Sequence, residues 1–259
     1  MPGRMEGAVA VVIGGASGIG WATAQLLAAE GVSVVIGDID IEGGRKRAVE
    51  LGGRAEAVRV DVVDEESVKG IFEGAEAQHG RLDIAVNCAG VNLLGYITDL
   101  EAQTWRRTVD ICLTGGFFVI KHAARAMTAG GSIVSITSLN ARQAAAGFAG
   151  YCSAKAGLAM LTEVAALELG DRGIRVNAVS PGLVETPLVE GLTGVPAIQA
   201  DFTENTPLGR NGLPRDVAEA VFFLASDASS WITGEVLDVN GGAHLRRYPD
   251  VMKHIEAMQ

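Results

Sequence analysis

The chain has 259 residues, 48% of them hydrophobic and 20% charged, and a formal net charge of −10. That size suits one large α/β domain or two small ones with a substantial core, and the acidity argues against nucleic acid or an anionic membrane as a partner. Cys88, Cys112 and Cys152 are odd in number and, like the four scattered histidines, lack metal-ligand spacing; they read as reduced thiols of a cytoplasmic protein with no metal site. MPGRMEG is too short and too polar for a signal peptide, and no apolar run approaches a membrane span.

In chain order, strand-like and helix-like patterns alternate. AVAVVI (8–13), followed by glycines, predicts a buried parallel strand. WATAQLLAAE (21–30) predicts a helix that stops at Gly31. Residues 32–36 predict a second strand, and residues 41–51 a charged helix closed by Gly52-Gly53. Residues 55–60 alternate as a third strand ending at Asp61, and residues 64–78 have a helical composition. Residues 82–86 form a fourth strand that runs into Asn87-Cys88-Ala89-Gly90. A long helical region over 101–127, broken near Gly115-Gly116, precedes a fifth strand (132–136), a helix from about Gly150 and a sixth strand (174–179). With no internal repeat and no Pro/Ser-rich linker, this alternation predicts a single doubly wound, mostly parallel sheet with helices on both faces.

The first strand-to-helix turn, Gly14-Gly15-Ala16-Ser17-Gly18-Ile19-Gly20, carries the first chemistry. Missing side chains there let backbone N–H groups and a helix N-terminus approach a pyrophosphate. Asp38 ends the second strand 18 positions after Gly20, where a carboxylate accepts from ribose hydroxyls and repels a 2′-phosphate. Ser17 offers no cation to attract one, so the pair favours NAD over NADP. Asp61, at the end of the third strand, is either an adenine contact or a helix N-cap.

SLNARQAAAGFAGYCSAK (138–155) then supplies a hydroxyl (Ser138), a phenol (Tyr151) and an ammonium (Lys155). On a helix, positions i and i+4 share a face, so Tyr151 and Lys155 stand side by side. A phenol alone is a poor proton carrier at neutral pH, and a neighbouring cation that favours phenolate makes it a usable general acid/base.

Taken together, Gly14/Gly18/Gly20, Asn87-Cys88-Ala89-Gly90, Ser138 and Tyr151/Lys155, with Ser138 thirteen positions before Tyr151, resemble the short-chain dehydrogenase/reductase family, in its subfamily of roughly 250-residue chains. RVNAVSPG (175–182), Thr186, PLGR (207–210) and ITG (232–234) continue the likeness, which spans nearly the whole chain. The resemblance implies a Rossmann-type sheet of seven strands that binds NAD, with NADP disfavoured. It implies cofactor contacts from Gly14, Ser17, Gly18, Ile19 and Gly20 in the first turn, from Asp38, Asp61 and Val62, and from Asn87, Ala89 and Gly90 after the fourth strand. Pro181, Gly182, the Val184 backbone and Thr186 would hold the carboxamide end. It further implies that Tyr151 takes the hydroxyl proton of a secondary alcohol, that Lys155 holds the nicotinamide ribose and favours phenolate, and that Ser138 orients the substrate oxygen.

Three residues depart from the family pattern: Ile13 where Thr is usual, Cys88 where a second Asn is usual, and Cys112 where the family places an Asn of its catalytic set. A thiol donates and accepts only weakly, so Cys112 predicts a weakened proton relay and reduced turnover, and otherwise reads as a buried inert cysteine.

The predicted pocket wall comprises Asn92, Leu93, Leu94, Asn140, Gln143, Ala144, Phe148 and Leu183, under a lid over 187–205 that contains no Lys or Arg. A small uncharged alcohol or ketone fits such a wall. An NADPH-linked 3-oxoacyl thioester reductase, using Arg125 and Arg172 toward an acidic carrier, is the alternative within this chemistry. An NAD-responsive binding protein with little turnover is the alternative outside it. The resemblance also implies a homotetramer built on helices over 104–127 and 151–169. The tail (243–259) carries Leu245, Tyr248, Val251 and Ile255, and reads either as a reach toward a neighbouring subunit or as a frayed end.

Overall fold

The VAVVI run forms β1 (Val9–Ile13), buried along its whole length. Ala10 and Val12 pack into a core on one face of the sheet and Val11 and Ile13 into a core on the other, which is why the run is apolar throughout rather than alternating. The structure is a computed structural model that describes residues 5–258; residues 1–4, the start of the MPGRMEG segment, and Gln259 at the end of the tail lie outside the described residues.

Six more strands follow: β2 (Ser33–Asp38), β3 (Ala55–Arg59), β4 (Ile84–Asn87), β5 (Gly131–Ile136), β6 (Ile174–Pro181) and β7 (Val236–Val239). They form one sheet in the order β3-β2-β1-β4-β5-β6-β7. Every pairing is parallel, so the expected mostly parallel sheet is wholly so. The strand order reverses between β1 and β4, the place where open α/β sheets form a crevice at the carboxyl ends of their strands. The residues of β3, at the sheet's edge, are half-buried or exposed, which explains the alternation read there.

The helices are α1 (Gly18–Ala29), α2 (Ile41–Leu51), α3 (Glu65–His79), α4 (Ala102–Val109), α5 (Gly115–Ala126), α6 (Ala149–Leu169), α7 (Glu190–Thr193), α8 (Pro196–Glu204), α9 (Pro214–Ala225) and α10 (Val251–Glu256). α1, α2 and α9 cover one face of the sheet, with Leu26, Leu27, Ala48 and Val221 in that core. α3, α5 and α6 cover the other, with Phe72, Val119 and Ala165. None of the described helices is long and apolar enough to cross a membrane.

Three expectations change. Gly115-Gly116 does not break the long helical region: α4 passes through a π-helical turn (Asp110–Thr114) into α5 with Gly115 in ordinary helical geometry. Those glycines serve packing, since a Cβ on Gly115 would lie 2.9 Å from Val62 Cβ and one on Gly116 2.8 Å from Leu158 Cδ1. Asp61 does not cap α3; Asp64 does, accepting from Glu66 N–H at 3.1 Å, while Asp61 turns onto Val63 N–H at 3.2 Å. The tail folds back on its own chain: Tyr248, Val251 and Ile255 pack with Phe148, Ile198 and Phe202, and Tyr96 donates to Glu256 at 2.8 Å. Leu245 takes no part in that packing and is exposed.

Candidate active site

The glycine turn leaves β1 and enters α1 earlier than its sequence suggests, at Gly18. Within the helix position 20 has to be glycine, because any Cβ there would fall on the Gly14 carbonyl oxygen, and Gly14, with φ +74°, lies against the backbone of Cys88 and Ala89. The first backbone bond of α1 is Trp21 N–H to Ser17 C=O at 3.0 Å, and Ser17 adds no side-chain cap. The first-turn N–H groups therefore open onto a cleft lined by Gly14, Ser17, Gly18, Ile19 and Gly20. Asp38 joins β2 to this turn: its carboxylate accepts from Ala16 N–H at 2.9 Å and from Asp40 N–H at 3.0 Å.

Asp38, Asp61, Val62, Ala89, Gly90 and Thr186 line the same cleft, and a Cβ on Gly18 would meet Thr186 Cγ2 at 3.1 Å. The cradle, the open helix end and the carboxylate fit a dinucleotide. Asn87, by contrast, is buried beside the cleft and steadies it by accepting from Ala89 N–H at 3.2 Å. Val184 is buried and pairs with Gly212 through the carbonyl of Leu183 and the N–H of Glu185, a pairing that leaves its own peptide groups unused. The sequence reading missed Arg107 and Ile111, which the helical region around the π-turn brings to the cleft. Cys88 lines it too; burial pushes its thiol up to about 12, so it stays protonated.

A second cavity adjoins at Ser138 and Tyr151, and Leu188 lines both. Tyr151 and Lys155 lie on α6 as expected, with Lys155 Nζ 5.7 Å from the centre of the Tyr151 ring. Lys155 is buried and donates to the Ile136 carbonyl at the end of β5 at 2.7 Å. Ser138 follows β5 in extended geometry, and its Oγ accepts from Asn140 N–H at 3.1 Å, which leaves its own O–H to donate. Cys112 is buried in the π-turn, and it and Lys155 Nζ both approach Gly90: a Cβ there would be 3.5 Å from Nζ and 3.9 Å from Sγ.

Of the predicted wall, Asn92, Asn140, Gln143, Phe148 and Leu183 line this cavity, together with Pro181 and Gly182. Leu93, Leu94 and Ala144 do not: Ala144 is exposed, and Leu94 packs behind Phe148. Lid residues Leu188, Val189, Leu192, Phe202 and Asn205 close one side. The tail supplies what sequence reasoning missed, Arg247 and Tyr248. Tyr248 meets Phe148 and Phe202 edge-on at 5.9 and 5.6 Å, and burial, then the Tyr151 phenol, push its own phenol upward, so it stays protonated. Two arginines and a tyrosine in RRYP, within an acidic chain, were the only signal.

Comparison with known proteins gives the family. A family model described as enoyl-(acyl carrier protein) reductase matches residues 14–244. The chain is 47% identical to a cis-4-hydroxycyclohexanecarboxylate dehydrogenase of Sinomonas cyclohexanicum, over 90% of this chain and 95% of that protein. It is 38% identical to a cyclohexanol dehydrogenase of Acinetobacter sp., over 93% and 96%. The solved structure of a short-chain type dehydrogenase/reductase from Mycobacterium ulcerans superposes with a TM-score of 0.95 at 38% identity, covering 98% of this chain and 96% of that one. The matches extend over nearly the full length: the chain belongs to the short-chain dehydrogenase/reductase family of oxidoreductases, which use nicotinamide cofactors.

Proposed function

We propose that this oxidoreductase interconverts a secondary alcohol and a ketone on a six-membered ring, with NAD preferred over NADP. The observation that carries the reading is the meeting of Ser138 and Tyr151 in one largely apolar cavity, with the Lys155 ammonium buried behind the Tyr151 ring. The names of two relatives, which act on cyclohexane-type alcohols, support a ring substrate. Asp38 at the cleft supports NAD, since a carboxylate there accepts from ribose hydroxyls and repels a phosphate.

When bound, the nicotinamide supplies the hydride chemistry; the chain supplies position and proton handling. Gly14, Ser17, Gly18, Ile19 and Gly20 would hold the pyrophosphate; Asp38 the adenosine ribose; Asp61, Val62, Ala89 and Gly90 the adenine side and cleft floor; and Pro181, Gly182, Val184 and Thr186 the carboxamide end. Tyr151 acts as general base in oxidation and Lys155 stabilises its phenolate. Ser138 donates its free O–H to the substrate oxygen. Cys112 stands where the proton path beyond Lys155 would run. Trp105, Phe117, Met160, Val164 and Leu167, exposed on α4, α5 and α6, support assembly into a homotetramer through those helices.

The test is NADH formation from cyclohexanol and its ring-substituted relatives with wild type and Tyr151→Phe. Turnover that falls about 10²- to 10⁴-fold in the variant while NADH binding persists supports the assignment. Equal turnover in both would remove Tyr151 from the chemistry. The likeness to a 3-oxoacyl-[acyl-carrier-protein] reductase of Thermotoga maritima, 37% identical over 92% of this chain and 98% of that protein, favours a second reading, reduction of the keto group of a 3-oxoacyl thioester with NADPH. A preference for NADPH and for 3-oxoacyl thioesters in the same assays would establish it.

A further inference from the structure

Among the described residues, Arg247 is the only charged side chain lining the cavity at Ser138 and Tyr151. Its backbone is held on both sides by other residues of that wall. Gln143 Nε2 donates to the Arg246 carbonyl at 2.6 Å, and the Tyr248 ring sits edge-on to Phe148 and Phe202. The guanidinium is oriented by Asp201 of α8, whose Oδ1 receives Nη2 at 2.5 Å.

Asp201 is a shared partner rather than a private one. Its carboxylate also meets His254 Nε2 at 3.0 Å and accepts from Asn205 Nδ2 at 2.9 Å. Arg247 makes its side-chain hydrogen bonds through Nη1 and Nη2 to Asp201, with the Glu204 and Asp250 carboxylates near enough to add to its charge pairing, so of the five N–H donors of a guanidinium several have no hydrogen-bond partner among the described residues. A cation fixed at one end of an otherwise neutral, largely apolar cavity, with donors to spare, is the means by which proteins select a carboxylate.

We propose that Arg247 is a specificity-determining residue that binds a carboxylate carried by the substrate away from its reacting carbon, so that the preferred substrates are hydroxy or oxo acids rather than neutral alcohols. This rests on reading the cavity as the site of alcohol oxidation. It also changes the expectation of an uncharged substrate, which rested on the absence of Lys and Arg from the lid; the cation comes from the tail instead. The Arg247 side chain is 58% exposed, so solvent screens the pair and the preference is modest, about tenfold.

The experiment needs no turnover. Cyclohexanecarboxylate and the isosteric cyclohexanecarboxamide, neither of which can be oxidised at a ring hydroxyl, are titrated calorimetrically into the full chain with and without NADH. Wild type is expected to bind the acid about tenfold more tightly than the amide, Arg247→Met to lose that ratio, and Arg247→Lys to keep part of it. Asp201→Asn breaks the same ion pair from its other end but leaves the cation less neutralised, so it is expected to raise the ratio. Variants that lower the ratio together would show that the pair merely latches the lid to the tail and would overturn the proposal, as would equal binding of acid and amide by wild type. Thermal unfolding of each variant accompanies the titrations, and if Arg247→Met does not fold, Arg247→Lys and Asp201→Asn still give the opposite-sign comparison. Should the acid preference hold while no ring alcohol is oxidised, the anion site stands and the dehydrogenase reading alone falls.

Discussion

Cys112 Sγ accepts from the Val91 N–H at 3.4 Å and donates to the Val91 carbonyl at 3.3 Å, so one thiol serves both peptide groups of the residue that follows Gly90. The position where the family resemblance implies an Asn is thus structurally filled, but by weak partners. Gly90, lacking a Cβ, leaves room on this side of Lys155. Cys112→Asn is expected to raise kcat with NAD about fivefold, the worth of one ordinary hydrogen bond near 1 kcal/mol. Cys112→Ala should instead lower stability by about 1 kcal/mol by removing the partner of two part-buried peptide groups. Steady-state kinetics and denaturant unfolding check the two; unchanged kcat in Cys112→Asn would mean that the position lies off the proton path.

Asp38 does two jobs in the structure, bonding Ala16 N–H of the glycine turn and facing the cleft. Asp38→Asn keeps an acceptor for one peptide group and removes the charge. The expected result is a collapse of the NADH-over-NADPH preference by about one to two orders of magnitude, mostly through better NADPH binding. Fluorescence titration of both nucleotides measures it. If the preference survives in Asp38→Asn, the carboxylate does not read the ribose.

What the sequence carried legibly was local. β1 and the Gly14–Gly20 turn are continuous in the chain, and Tyr151 and Lys155 need only one helical face, so period and spacing sufficed. The π-turn at Asp110–Thr114 leaves no mark in composition because its backbone stays helical. Asp61 and Asp64 are both good caps three positions apart, and only the fold chooses between them. Arg247 and Tyr248 were invisible for a different reason: their role depends on contacts with Asp201, Gln143 and Phe148, between 46 and about 100 residues away, which no window of sequence contains.

Tyr248 supplies a protonated phenol and a buried ring at the cavity wall. Tyr248→Phe keeps the edge-on contacts with Phe148 and Phe202 and is expected to leave stability within about 1 kcal/mol, since only a hydrogen-bonding group is lost. Tyr248→Ala removes the ring that joins tail to lid and should cost about 3–5 kcal/mol while enlarging the cavity. Denaturant unfolding tests the energies, and kcat/KM for ring alcohols bearing bulkier substituents tests the enlargement. A Tyr248→Ala variant as stable as wild type would mean that the tail contributes little to closing the site.

Asp201 sets the acid limit of the lid. Burial pushes its carboxyl up, but the hydrogen bonds from Arg247 and His254 outweigh it and hold it below the ordinary value of 3.8. A carboxyl depressed on folding contributes stability that is fully present above the unfolded value and is lost as pH falls through the folded one. The difference in Tm between wild type and Asp201→Asn is therefore expected to be constant above about pH 5 and to shrink as the pH is lowered below the ordinary carboxylate range. Thermal unfolding of both proteins across that window, at constant ionic strength, reads it directly. A difference that persists undiminished into strong acid would show that Asp201 holds the lid through neutral hydrogen bonds and not through its charge.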